Sequence, residues 1–156
     1  MAGVTIYGIY SKVTRGTSAN TESKNLDTLK AGLKPFFAGQ SSTAGLNNTL
    51  VNSAQITPPS MMDGTAAGIV NSFGGAVVIT PQGLGGTNNG FRIEYQNVPS
   101  AVCTQLATGT GAQFAQLTVA GVVVKPLGTT TTVNLTTATT QCNSADAVVM
   151  QFDELK

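Results

Sequence analysis

The stretch Asn89–Gly109, NGFRIEYQNVPSAVCTQLATG, changes its periodicity half-way, from that of a strand to that of a helix, and the rest of the chain is organised around it. Phe91, Ile93 and Tyr95 alternate with Arg92, Glu94 and Gln96, the period of two expected of a half-buried strand. Asn97 then suits a helix cap, and Pro99 suits the first helical turn, where its missing N–H is harmless. Val102, Leu106 and Ala107 follow at helical spacing, and Gly109 is placed to stop the run. Cys103 lies inside this predicted helix, and the second cysteine is Cys142. A strand, a short helix and a long cysteine-bounded excursion form the organising unit.

The 156 residues make one domain, with enough length for a sizeable core. Charged residues are 10% of the chain, against about 25% in an average soluble protein. Thr, Ser, Asn, Gln and Gly fill the surface instead. A net charge of +1 argues against a nucleic-acid partner, which would call for clustered Lys and Arg. There is no histidine, which removes the commonest general base and the commonest transition-metal ligand. Of the seven carboxylates, Asp153 and Glu154 are adjacent, and neighbours in a strand point to opposite faces. Two thiols without histidine make a poor zinc site. No catalytic, cofactor-binding or metal-binding residues are assigned, and an enzyme is not expected.

Two cysteines in a polar, charge-poor chain read better as a disulfide than as free thiols. The closed loop of about 40 residues would then contribute roughly 4 kcal/mol in the chain-entropy picture. A disulfide also implies an oxidising compartment: periplasm, cell surface or beyond. No stretch approaches the ~20 apolar residues of a membrane span, and no signal peptide opens the sequence. A front portion is therefore expected to have been trimmed, with Met1-Ala2-Gly3 an added start.

Residues 4–34 are predicted to form a helix in two parts. Leu26, Leu29 and Leu33 follow i, i+3, i+7 and make one apolar stripe facing the core; Pro35 and Gly39 end the helix. Val4 to Val13 is apolar on nearly every side, which is read as the end of a longer helix buried in a bundle, although its β-formers also allow a strand. Residues 39–70 read as a long polar connection, stiffened by Pro58-Pro59, with Met61-Met62 pinning it to the core and a short helix near Met61 to Ile69. Ala76 to Thr80 is a strand ended by Pro81. The turn-rich Gln82 to Gly90 joins it to the Phe91–Tyr95 strand, so that 71–97 is a first hairpin. Gln116 to Pro126 reads as one central strand, near-continuously apolar. Thr129 to Thr140 reads as an edge strand or extended loop. The last buried strand is 147–152, after which DELK frays. The sequons at Asn47 and Asn134 carry no weight in so Asn- and Thr-rich a chain.

This order of elements, with NSFGG (Asn71 to Gly75) opening the sheet, resembles a type IV pilin. NSFGG is similar to the Asn-x-aromatic-Gly-Gly signature of type IVb pilins. FRIEYQNVPSAVCTQLATG resembles their aromatic-rich strand leading into a helix with an embedded Cys and a following Leu-Ala-Thr. The likeness covers residues 4 to 152 and is greatest to the PilS pilins of Salmonella and related conjugative plasmids.

The resemblance implies an α+β fold in which a long N-terminal helix packs on an antiparallel β-sheet, with the C-terminal strand inside that sheet. It implies that Cys103 and Cys142 bound a disulfide-closed D-region, 103–142, at the pilus surface. It implies a structural subunit that polymerises with other copies of itself through its N-terminal helices, with Val4, Tyr7 and Tyr10 packing between subunits in the fibre. The expected place is a pilus on the bacterial surface, after an inner-membrane stage, serving attachment, aggregation or mating contact with a host or recipient cell. The family's leader and hydrophobic front segment with its glutamate, the only expected membrane contact, are not in the sequence. This chain alone is therefore expected not to form fibres, and Val4 to Tyr10 is expected to fray in the monomer. Two rivals remain: an extracellular glycan- or protein-binding module using Thr129 to Thr140, and a secretion-system pseudopilin. Asp146, Asp153 and Glu154 are too scattered for the calcium cage common in the latter.

Overall fold

Leu26, Leu29 and Leu33 are all fully buried, which orients helix α1 (Ala2–Phe37) along the face of a five-stranded sheet. The computed structural model describes residues 2–128 and 132–156, with side chains from Ala19 onward. Pro35 does not end α1, as the sequence suggested; the helix continues to Phe37. Proline removes one N–H bond near an end that is already losing partners, while Leu33 and Phe37 remain buried on either side of it.

The connection to the sheet is more ordered than its composition implies. It holds a short helix α2 (Asn48–Ser53), capped by Asn47, whose side chain accepts from the Leu50 N–H. A 3₁₀ turn follows at Pro59–Met61. The helix expected near Met61 to Ile69 is absent. There the chain turns back at Asp63, whose carboxylate accepts from the Thr65 N–H at 2.9 Å, and Met62 pairs with Ile69 as an isolated antiparallel bridge. Met61 is buried as expected, whereas Met62 is exposed.

The strands are β1 (Val77–Gln82), β2 (Gly90–Pro99), β3 (Gln116–Val119), β4 (Val122–Lys125) and β5 (Ala147–Leu155). All neighbours are antiparallel, in the order β1-β2-β5-β3-β4. The C-terminal strand is thus central, as the resemblance implied. Phe91, Ile93 and Tyr95 point into the core opposite Met150 and Phe152. The rings of Tyr95 and Phe114 pack on Phe152, with centroids 5.8 and 5.3 Å away.

Several boundaries differ from expectation, each for a local reason. Pro81 lies inside β1 rather than after it; Val77 and Ile79 direct their backbone N–H groups away from β2, and Pro81 shares that side by the period of two. The N–H it lacks is one β2 does not need. Asn97 is not a helix cap: it adopts φ +58° at a bulge in β2, where the register with β5 shifts between Tyr95 and Val98. Pro99 is the residue before helix α3 (Ser100–Gly109) rather than within its first turn. The predicted single strand 116–126 is a hairpin. Ala120 and Gly121 have φ of +51° and +81°, the left-handed pair that closes a tight two-residue turn between β3 and β4.

Of the Thr-rich stretch, residues 129–131 lie outside the described part, 132–134 form a short loop, and the remainder is helical rather than an edge strand or extended loop. It carries helix α4 (Leu135–Cys142), begun by Asn134, whose side chain accepts from the Thr137 N–H at 3.0 Å. Ala138 and Cys142, one turn apart, are its buried positions. DELK does not fray either. β5 runs to Leu155, Asp153 is fully buried, and Arg92 grips it from the opposite position on β2 at 2.8 and 3.0 Å.

Candidate functional site: the joint between helix and sheet

One turn ahead of Leu26, on the same buried stripe, stands Glu22, with none of its surface exposed. A carboxylate in that position needs donors, and four neutral ones converge on it. Tyr95 Oη donates at 2.6 Å from the middle of β2, the Ser72 N–H at 3.0 Å and the Ser72 hydroxyl from the turn before β1, and Asn25 Nδ2 at 3.4 Å. Burial, and then the charge and hydrogen bond of Glu22, push the Tyr95 phenol well above its ordinary pKa. Glu22 therefore ties α1 to the sheet and to the turn that opens it.

That turn, Asn71 to Gly75, has a reason for nearly every residue. The Asn71 side chain accepts from the Phe73 and Gly75 N–H groups at 3.0 and 2.9 Å and donates to the Gln96 carbonyl at 2.8 Å. Ser72 serves Glu22. The Phe73 carbonyl accepts from Asn97 Nδ2 at 2.7 Å, which uses the bulge in β2. Gly74 has φ +77°, and a Cβ on Gly75 would lie 2.0 Å from the Gln96 carbonyl oxygen.

Further along α1 a second tie reaches the end of β5. Lys30 Nζ lies 2.9 Å from Glu154 Oε2, donates to the Gln113 carbonyl and sits 5.1 Å above the Phe114 ring. Lys125 donates to the carbonyls of Ala112 and Phe114, and burial pulls its pKa below the usual value. Both lysines thus fix a second 3₁₀ turn, Gly111–Gln113, which follows α3. Cys103 on α3 and Cys142 on α4 are buried and bonded to one another, their Cα atoms 5.5 Å apart. α3 in turn packs against α1, where Thr110 donates to Ser23 across the contact.

The family described as "PilS N terminal" matches residues 16–152, nearly the whole described head and the second half of α1. The chain belongs to the PilS family of type IVb pilins. The major structural subunit of the bundle-forming pilus of Escherichia coli O127:H6 is 25% identical over 123 residues, covering 77% of this pilin. This pilin in turn spans 62% of the length of that relative. Among solved structures, a type IVb pilin from Salmonella typhi superposes with a TM-score of 0.66 at 20% identity. TcpA, a type IV pilin from Vibrio cholerae El Tor biotype, gives 0.65 at 16%. Each of these two alignments covers 88% of this pilin and 99% of the other chain. At such identities the likeness speaks for the fold, which is that of the type IV pilins.

The residues singled out in the sequence divide cleanly on this pilin. Leu26, Leu29 and Leu33 form the core wall, and Cys103 and Cys142 are joined. The side chains of Val4, Tyr7 and Tyr10 lie outside the described part. Among the described residues no cluster of acidic or cysteine side chains is arranged to hold a metal ion, and no helix is long and apolar enough to cross a membrane. Glu22 escaped the sequence reading, although a lone acid at i−4 from a leucine stripe is a visible signal. Asn48 escaped as well; its partners Ala67, Val77 and Ile79 lie 19, 29 and 31 residues away.

Proposed function

We propose that this pilin is the head and lower spine of a structural subunit that assembles with copies of itself into a bacterial surface fibre. The observation that carries this is the family match across 16–152, together with a joint that makes α1 and the sheet one packed unit. In this reading the first half of α1, with Val4, Tyr7 and Tyr10, packs among neighbouring helices in the fibre core. The region between Cys103 and Cys142 faces outward as the D-region, and the connection at 39–70 forms the other side of the shell. The subunit waits in the inner membrane before assembly, held there by a segment preceding these residues. The finished fibre then meets host or recipient cells. Burial favours polymerisation because each α1 front removes apolar surface from water only when other copies surround it. The work is structural and needs no catalytic residue or cofactor.

The test is to express a full subunit carrying this domain in cells with a type IV assembly apparatus, and to image sheared surface filaments labelled at an introduced surface tag. Filaments carrying the label are expected. Asp at Val4, Tyr7 and Tyr10 should abolish them while leaving the head's melting temperature unchanged. A full subunit that is exported and folded yet never enters filaments would overturn the proposal.

A further inference from the structure

The outer edge of β1 is closed by side chain and loop rather than by another strand. Its Val77 N–H donates to the Ile69 carbonyl at 2.8 Å, from a flap that doubles back along Ala76 and Val77. The next two outward groups are taken by one side chain. Asn48 Nδ2 donates to the Val77 carbonyl and Asn48 Oδ1 accepts from the Ile79 N–H, each at 2.8 Å. A side-chain amide here makes the pair of bonds that a neighbouring peptide group would make. The same Nδ2 also donates to the Ala67 carbonyl at 3.1 Å, so it holds the flap down. Asn52, one turn further on α2, donates to the carbonyls of Ala66 and Gly68 at 3.1 and 3.2 Å. Pro81 has no N–H to offer on this edge.

We infer that Asn48 is a latch that keeps the β1 edge shut against the β1 edge of a second copy. The two groups it covers are matched by those of a second copy. Val77 C=O and Ile79 N–H flank Val78, so an antiparallel copy turned about a two-fold axis at Val78 presents the complementary Ile79 N–H and Val77 C=O. The surface is self-complementary, which is what an isologous contact requires. Once the flap lifts from Val77 and α2, which packs on β1, swings away with Asn48, the pairing extends the sheet through backbone bonds. Exposed edges of this kind are a recurrent route to unwanted association, and a covering side chain is one way to block it. The latch matters most where copies are crowded: in the fibre proposed above, heads sit at effective concentrations on the order of millimolar. Its operation, however, is a property of the head alone.

The experiment uses the purified chain with N48A, N48D and the double variant N48A/T80K. Two quantities are read below the unfolding temperature: amide hydrogen exchange at Ile79, and sedimentation velocity up to about 1 mM. In N48A the Ile79 amide is expected to exchange about tenfold faster, the loss of one hydrogen bond, while Val78 and Thr80 stay protected by β2. Dimers should grow with concentration. The added lysine on the outer face of β1 should return N48A to monomer, which general destabilisation would not predict. An N48A protein that stays folded and monomeric at the highest concentration overturns the inference, as does association that N48A/T80K leaves unchanged. If N48A fails to fold, N48D decides on the same two readouts, since it keeps the acceptor for Ile79 but loses the donor to Val77.

Discussion

Gly75 and Tyr95 show how single atoms determine whether the helix and the sheet of this pilin stay joined. Alanine at Gly75 would place a Cβ 2.0 Å from a backbone carbonyl that cannot retreat without breaking the β1–β2 pairing. G75A should therefore lose about 2–4 kcal/mol in urea unfolding, whereas alanine at Gly74, strained only by its φ, should lose about 1–2 kcal/mol. Y95F removes the phenol donor and leaves one oxygen of a buried carboxylate without it, a loss of about 1–3 kcal/mol. The same variant gives a pH signature. Burial, and then Glu22, raise the Tyr95 pKa, so the folded state keeps its phenolic proton beyond the point where the unfolded state releases it. That contribution is complete below the ordinary value of 10.0 and is lost as pH climbs through the raised value. The difference in unfolding free energy between wild type and Y95F should shrink above pH 10, measured by chemical denaturation at fixed temperature. A constant difference across that range would place the stabilisation elsewhere.

Among the elements, α3 and α4 are held together by the disulfide. It joins α3 to α4 across a sequence separation of 39, and replacing both cysteines with alanine should lower stability by about 4 kcal/mol. Because the two cysteines are joined, the native protein should not be alkylated, and because both sulfurs are buried it should resist reductant until denaturant is added. A fast native reaction would contradict the packing of α4. This pairing was legible from composition, and α1, α3, β2 and the core of β5 were legible from periodicity. The errors cluster where a local signal was outvoted by position. A valine-rich run such as Gln116–Pro126 looks like one strand unless Ala120-Gly121 is read as a turn, and alanine rarely takes φ +51°. Threonine favours strands, yet Asn134 supplies a cap, and Ala138 with Cys142 supplies a buried helical face that overrides that preference. Pro81 and the terminal Asp153 and Glu154 looked like ends because their partners, an outward edge and the side chains of Arg92 and Lys30, are remote in sequence. Glu22 itself was visible as an acid beside the leucine stripe, but the joint it makes was not, because three of its four donors come from residues 50 and 73 positions away.

At the scale of the whole molecule, the proposed fibre gives α1 two jobs, a wall for its own head and a front for other copies. The 36 residues of α1 span about 54 Å, and among the described side chains those it buries against the sheet run from Ala19 through Glu22, Leu26, Leu29, Leu33 and Phe37. Truncating any one of the three leucines to alanine should cost about 2–5 kcal/mol, so losing all three would consume the ~5–15 kcal/mol that holds a domain together. Deleting residues 1–33 should thus abolish cooperative unfolding altogether. A glycan- or protein-binding module that merely carried a helical appendage would survive that deletion with its transition intact. Deleting residues 1–17 is expected to do the opposite, leaving the melting temperature within about 4 °C, because the head keeps its joint and its wall. In the intact chain the amides of Val4 to Tyr10 should exchange fast, since Gly8 and the β-branched Val4, Thr5, Ile6 and Ile9 weaken a helix that, in the proposed fibre, other copies would surround. Strong protection there, or a large drop in melting temperature on removing 1–17, would mean that the front of α1 belongs to its own head. The fibre would then have to be built from some other surface.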